Sequence, residues 1–171
     1  MWQDRLRTPG NPLRIGISWR GGSGWEARKR STSLRDWSGL FQRQDVQWVN
    51  LQYGDVSDEL ASLHTASGIR VRSWPDDDHF QDLEGLAAKI ACLDLVITVS
   101  NVTAHLAGAL GKKTLLILPH VPGWRWFEDH GKSPWYPDTT LIRQTSPGDW
   151  TDVFRRLDRL CDDIASGRQA T

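Results

Sequence analysis

The chain has 171 residues with 21 basic and 21 acidic side chains, so no global field draws it to nucleic acid or to a membrane surface. Its two cysteines, Cys92 and Cys161, stand far apart and lack metal-ligand spacing with the five histidines, which leaves no metal site in the pattern and suits a reducing, cytoplasmic setting. No apolar run approaches the roughly 20 residues of a membrane span, and residues 1–11 are too polar for a signal peptide.

This length suits one domain or one half of a larger enzyme. Residues 1–12 read as a loose lead-in, 13–165 as the domain and 166–171 as a tail. Residues 13–19 (LRIGISW) alternate and are rich in strand formers, which predicts the first strand. The Gly-rich, basic stretch 20–32 reads as a loop. Residues 33–44 place Leu34, Trp37, Leu40 and Phe41 at helical spacing. A second strand is expected over 46–51, a helix over 56–66 and a third strand over 69–74. Pro75 closes that strand, and Asp76, Asp77 and Asp78 read as loop and helix cap. Residues 80–92 predict a helix with Leu83, Leu86, Ala87 and Ile90 on its buried face and Cys92 as an inert thiol near its end. Residues 93–99, 102–110 and 114–118 then read strand, helix, strand, which is one βαβ crossover of a parallel sheet. A long Trp- and Pro-rich loop covers 119–137. A short strand follows over 140–143, and a closing helix over 149–165 carries Trp150, Val153, Phe154, Leu157 and Leu160 on one face. Strands alternate with helices throughout. This argues an α/β fold with a central, mostly parallel sheet and helices on both faces.

In such sheets ligands sit at the carboxyl ends of the strands, where helix N-termini present unpaired N–H groups. Ser100, Asn101, Val102 and Thr103 form that corner and suit a phosphate. Ser18, Arg20, Gly21 and Gly22 end the first strand and open the Gly-rich segment 19–24, whose backbone can form a nest for an oxyanion. The spacing is neither a Walker loop nor GxGxxG, and a plain flexible loop reads the same. Arg28, Lys29 and Arg30 are either a solvated face or, on the same rim as Ser100, cations for a diphosphate. Gln52, Tyr53 and Asp55 end the second strand, where nucleotide folds often hold base and ribose. His105 lies one turn into the helix after Asn101. It is either a structural residue or a catalytic group at the mouth, with no adjacent nucleophile for a triad. The ten tryptophans suit a core or an aromatic ligand surface. In the long loop, Trp124, Arg125 and Trp126 suit stacking on a sugar or docking of a partner domain.

The segments IGISWRGG, the KRS after it, VNLQYG, LDLVITVSNVTAHLAGALG, GWRW, SPWYP and RQTSPGDW occur in one order. Together, over roughly residues 10–160, the set resembles the carboxyl-terminal domain of bacterial tetratricopeptide-repeat proteins that carry a glycosyltransferase module. That module is similar to the heptosyltransferases of glycosyltransferase family 9. The resemblance implies a GT-B enzyme, two Rossmann-like halves with the active site between them, of which this chain is the half that binds the nucleotide-sugar donor. It implies that Ser100, Asn101 and Val102 stand where that family has an Asp-Thr-Gly turn against the diphosphate, with Ser100 in place of the aspartate. It also implies a phosphate-contacting cation at Lys29, or at Arg28 or Arg30. The reaction implied is sugar transfer from a nucleoside-diphosphate sugar, with no cofactor or metal. Acceptor binding and the catalytic base belong to an amino-terminal half, which with a repeat domain is the implied partner. Ser100 and the missing half leave a non-catalytic nucleotide-binding module as an alternative, and the Trp-rich loop leaves a protein-interaction module.

Overall fold

The computed structural model describes residues 1–22, 24–127 and 131–167, for Glu26 the backbone alone. Ser23 of the Gly-rich loop, residues 128–130 of the long loop and residues 168–171 of the tail lie outside them. In chain order the elements are α1 (Trp2–Arg5), β1 (Leu13–Ser18), α2 (Trp25–Lys29), β2 (Val46–Asn50), α3 (Ser57–Ser67), β3 (Val71–Arg72), α4 (Leu83–Ala91), β4 (Leu95–Val99), α5 (Val102–Ala109), β5 (Thr114–Leu118), β6 (Thr139–Arg143) and α6 (Thr151–Ala165). Short 3-10 turns occur at Leu40–Gln42 and Trp124–Trp126.

The strands form one parallel sheet in the order β3-β2-β1-β4-β5-β6. The order reverses between β1 and β4, where Ile17 stands opposite Ile97. Side chains alternate between the two faces, and both faces are covered. Ile15, Ile17, Leu95, Ile97, Leu115 and Ile117 pack with Trp37 and with Val153 and Leu157 of α6. On the other face Val49, Leu51 and Val96 meet Leu86 and Ile90 of α4 and Ala107 of α5. A strand buried on both sides needs apolar residues at every position, which explains the unbroken runs at Leu95–Val99 and Thr114–Leu118.

Three expectations change. Residues 33–44 do not form an α-helix. Most of their backbone bonds run from residue i+3 back to i, as in Asp36 to Ser33 and Trp37 to Leu34, and the Asp36 carboxylate accepts the Ser33 amide at 2.7 Å. Spacings of three serve a chain of tight turns as well as a helix, so Leu34, Trp37, Leu40 and Phe41 are still buried. The Gly-rich loop contains α2. The lead-in is not loose: Leu6 is buried with Leu86 and Ile90, and Trp2 meets Trp74 edge-on at 5.1 Å. Asp78 caps the turn at Phe80 and Gln81 as expected, while Asp82 is the N-cap of α4. Cys161 is buried, which pushes its thiol up to about 12, and Cys92 is half-buried; both are free.

Candidate functional site

The carboxyl ends of β1 and β4 diverge at the reversal point, and the side chains there first build a frame. Asn101 caps α5. Its Oδ1 accepts from the Ala104 amide (3.3 Å) and from Thr98 Oγ1 (3.1 Å), and its Nδ2 donates to Ser18 Oγ (2.7 Å) and to the Arg20 carbonyl (3.0 Å). Gln52 Oε1 accepts from Ser18 Oγ (3.1 Å) and from the amides of Trp19 (3.0 Å) and Arg20 (2.7 Å). The side chains of Ser18, Gln52 and Asn101, expected against a ligand, are therefore consumed in stitching β1, β2 and α5 together. Thr103 is also buried, donating to the Leu51 carbonyl at 3.5 Å. Arg20 is paired with Glu59 at 2.8 Å. Asp55 accepts the Ser57 amide at 2.9 Å in the turn before α3.

Above this frame lies a cleft of about 750 Å³. Arg30, Tyr53, His79, Val102, His105 and Arg125 line it, and among the described residues no carboxylate does. The expected oxyanion nest of Gly21 and Gly22 is not free: Gly21 donates to Ser31 Oγ (3.1 Å) and Gly22 to the Tyr53 hydroxyl. Gly21 serves instead by its size. A Cβ there would lie 2.9 Å from both the Ser100 carbonyl oxygen and Arg30 Nε. The glycine thus lets Arg30 reach the Ser100 corner, where its Nε is buried without a partner. Lys29 points elsewhere, its Nζ 3.4 Å from the centre of the Trp25 ring. The cation at the corner is therefore Arg30. Among the described residues the amides of Val102 and Thr103 have no protein acceptor. These are the groups a helix N-terminus offers an anion.

One wall of the cleft is an aromatic stack. Trp126 is buried, donates from Nε1 to Ser100 Oγ (2.8 Å) and stacks on His105 with centroids 4.9 Å apart. The Tyr136 hydroxyl lies 3.1 Å from His105 Nδ1. Burial, with a smaller push from Arg125, lowers the His105 pKa, which favours the neutral ring. Tyr136 packs over Gly108, where a Cβ would lie 2.4 Å from the ring. Three sequence segments, HLAGALG, WRW and WYP, thus form one packed unit. Of the expected sugar or partner loop, Trp126 is core, whereas Trp124 is exposed with Arg125 stacked on its ring at 4.7 Å.

Sequence reasoning missed a neighbouring network. Lys89 on α4 is fully buried. It donates to Asp77 and to the Asn50 carbonyl (3.2 Å), and its Nζ lies 2.8 Å from His79 Nε2. His79 Nδ1 donates to the Gln52 carbonyl at 3.0 Å. The signal was there: a lysine among Leu86, Ala87 and Ile90 on a buried helix face needs a counter-charge, and the Asp76–Asp78 run was the source at hand. His79 also borders a second cleft of about 600 Å³ with Asp55, Asp77 and Asp78 on its walls. Three carboxylates there disfavour a diphosphate, so of the two clefts the larger has the charge more favourable to an anion. Among the described residues no cluster of three His, Cys, Asp or Glu is placed to hold a metal, and no helix is long and apolar enough to cross a membrane.

No family model matches the chain. Protein FlbA of Caulobacter vibrioides is 29% identical over 166 residues, which are 96% of this chain and 28% of FlbA. Among solved structures, the ADP-heptose lps heptosyltransferase II of E. coli aligns with a TM-score of 0.70 at 12% identity, covering 98% of this chain and 51% of that one. The glycosyl transferase family 9 protein from Veillonella parvula aligns with a TM-score of 0.53 at 13% identity, covering 99% of this chain and 44% of that one. The chain spans about half the length of these structures, and less of FlbA. At such identities the likeness to the solved structures is one of fold: a single Rossmann-like parallel sheet of the kind found in heptosyltransferase-like, GT-B glycosyltransferases.

Proposed function

We propose that the chain binds the nucleoside-diphosphate end of a nucleotide sugar and acts as the donor half of a glycosyltransferase. The observation that carries this reading is the pairing of two arginines, Arg30 and Arg125, with free amides at the start of α5 in a cleft that no carboxylate lines among the described residues. Guanidinium groups and helix N-termini both favour a diphosphate. When the sugar–phosphate bond breaks, the leaving diphosphate gains negative charge, and cations and N–H dipoles already in position stabilise it without reorganising. A neutral His105, one nitrogen held by Tyr136, suits hydrogen bonding to the donor. Tyr53 and His79 stand where the nucleoside would lie, with the acid-lined second cleft beside them for hydroxyl groups. The exposed Phe80 and Trp124 near the mouth suit contact with a second half of the enzyme.

A second reading, a nucleotide-binding module without transfer activity, is favoured by one observation. Among the described residues no lining residue of the cleft is a carboxylate able to act as base, so on this reading no base for transfer stands in the cleft. Calorimetry with ADP, UDP and GDP tests the common core of both readings. At least one diphosphate binds, its monophosphate binds more weakly, and Arg30→Ala lowers affinity tenfold or more. Absence of binding by all three, or equal binding to the Arg30→Ala variant, would sink the assignment. Sugar transfer by the longest available form of the protein then separates the two readings.

A further inference from the structure

A third cleft, of about 510 Å³, opens on the other side of Arg30. Its walls come from α2 with Trp25 and Lys29, from the segment after β5 with His120, and from the turn after β6 with Gln144. Among the described residues it shares only Arg30 and Ser100 with the larger cleft, and no carboxylate lines it.

Gln144 is only 4% exposed. Its Oε1 accepts from the amides of His120 and Gly148, each at 3.2 Å, which fixes the carboxamide, yet its Nε2 has no partner. A buried amide donor without an acceptor is costly, and native structures rarely keep one without a use. Arg30 Nε is a second buried donor without a partner. Lys29 is held at the rim by the Trp25 ring, and neither Lys29 nor Arg30 has a carboxylate partner among the described residues. Two cations without a carboxylate partner and a residue with a spare amide donor thus line one space, whose remaining walls include Pro119, Pro122 and Pro147.

We propose that this cleft binds a phosphorylated monosaccharide, with the phosphate between Lys29 and Arg30 and a sugar hydroxyl on the Gln144 carboxamide. A guanidinium fork and an ammonium point charge together match the several oxygens of a phosphate monoester. The volume lies in the usual range of small-molecule sites, about 300–1,000 Å³, and is far larger than a bare ion needs. The site goes beyond the nucleotide-sugar reading and does not rest on it.

Nitrogen–proton NMR on the whole chain tests the proposal with glucose 6-phosphate as the probe. The Trp25 indole N–H is identified by its loss in Trp25→Phe. The expected result is a saturable shift of this signal and of the Gln144 carboxamide, weakened but not abolished by saturating ADP, because the two clefts share Arg30. Lys29→Ala and Gln144→Glu each weaken binding tenfold or more, and glucose and inorganic phosphate each bind at least tenfold more weakly. Gln144→Glu keeps the acceptor for His120 and Gly148 but replaces the donor with a negative charge. Should it fail to fold, Lys29→Ala decides, since that side chain is on the surface. No saturable shift, an equal response to inorganic phosphate, an undiminished response in Lys29→Ala, or complete displacement by ADP overturns the proposal. ADP binding is read in the same samples, so loss of this site leaves the donor assignment standing or falling on its own result.

Discussion

Gly108 sits inside α5, where an alanine would ordinarily stabilise the helix by about 1 kcal/mol. Here the ring of Tyr136 occupies the space, 2.4 Å from where a Cβ would be, and the aromatic wall behind the cleft depends on that closeness. Displacing a packed ring in a close-packed interior costs about 1–3 kcal/mol, which outweighs the helix gain. Gly108→Ala is therefore expected to lower the urea midpoint, and to weaken ADP binding because Tyr136 no longer steadies His105. Unchanged stability in this variant would mean that Tyr136 moves aside freely and that the stack on His105 does not shape the cleft. Gly21 shows the same economy of size, since its missing side chain lets Arg30 approach the Ser100 carbonyl.

At the scale of the element, α5 is eight residues long and has little propensity-driven stability of its own; its position is set by Asn101. That one side chain caps the helix and ties it to Ser18 at the end of β1 and to the Arg20 carbonyl just beyond it. Asn101→Ala is expected to cost about 1–2 kcal/mol for the cap, read from denaturant unfolding. It is also expected to weaken ADP binding beyond what the stability loss explains, because the amides of Val102 and Thr103 lose their aim. Asn101→Asp keeps an acceptor for the cap but turns a donor toward Ser18 and Arg20 into a repelling oxygen, so it separates the two roles: nearer wild type in helix capping, worse in binding. The corner was legible in the sequence because a buried strand, two polar residues and a small-residue helix leave one topology. What the side chains there do was not legible. Sequence placed Ser18, Gln52, Asn101 and Thr103 against a ligand, and the fold spends them on one another, since a polar group brought to the buried end of a parallel sheet must find a partner within the protein.

Across the whole molecule, the parallel sheet with helices on both faces could be read from alternating strands and helices, and its boundaries shift by only a few residues. The 33–44 segment could not, because spacings of three fit tight turns as well as a helix. The role of residues 1–12 could not either, because a four-residue helix leaves no periodic signal and its value lies in what Trp2 and Leu6 touch. What they touch is the ground around Lys89, whose ammonium lies 4.5 Å from the Trp2 ring centre and 5.0 Å from that of Trp74. Burial, with a smaller contribution from the positive charge of Arg5, lowers the Lys89 pKa from 10.5 to about 7, against the pull of Asp76. Asp77 and His79 bind it directly. Above about pH 7 the folded protein sheds this proton while the unfolded chain keeps it up to the ordinary lysine range, so raising the pH through that window favours folding. The gain across the window is on the order of 3–5 kcal/mol. Urea midpoints at pH 7, 8, 9 and 9.5 are expected to climb for the native sequence, and Lys89→Met, which keeps the volume between the two indoles but has no proton to lose, is expected to flatten the climb. Equal slopes in the two proteins would show that the buried ammonium keeps its proton throughout, with Asp77 outweighing burial as the dominant influence on this side of the sheet.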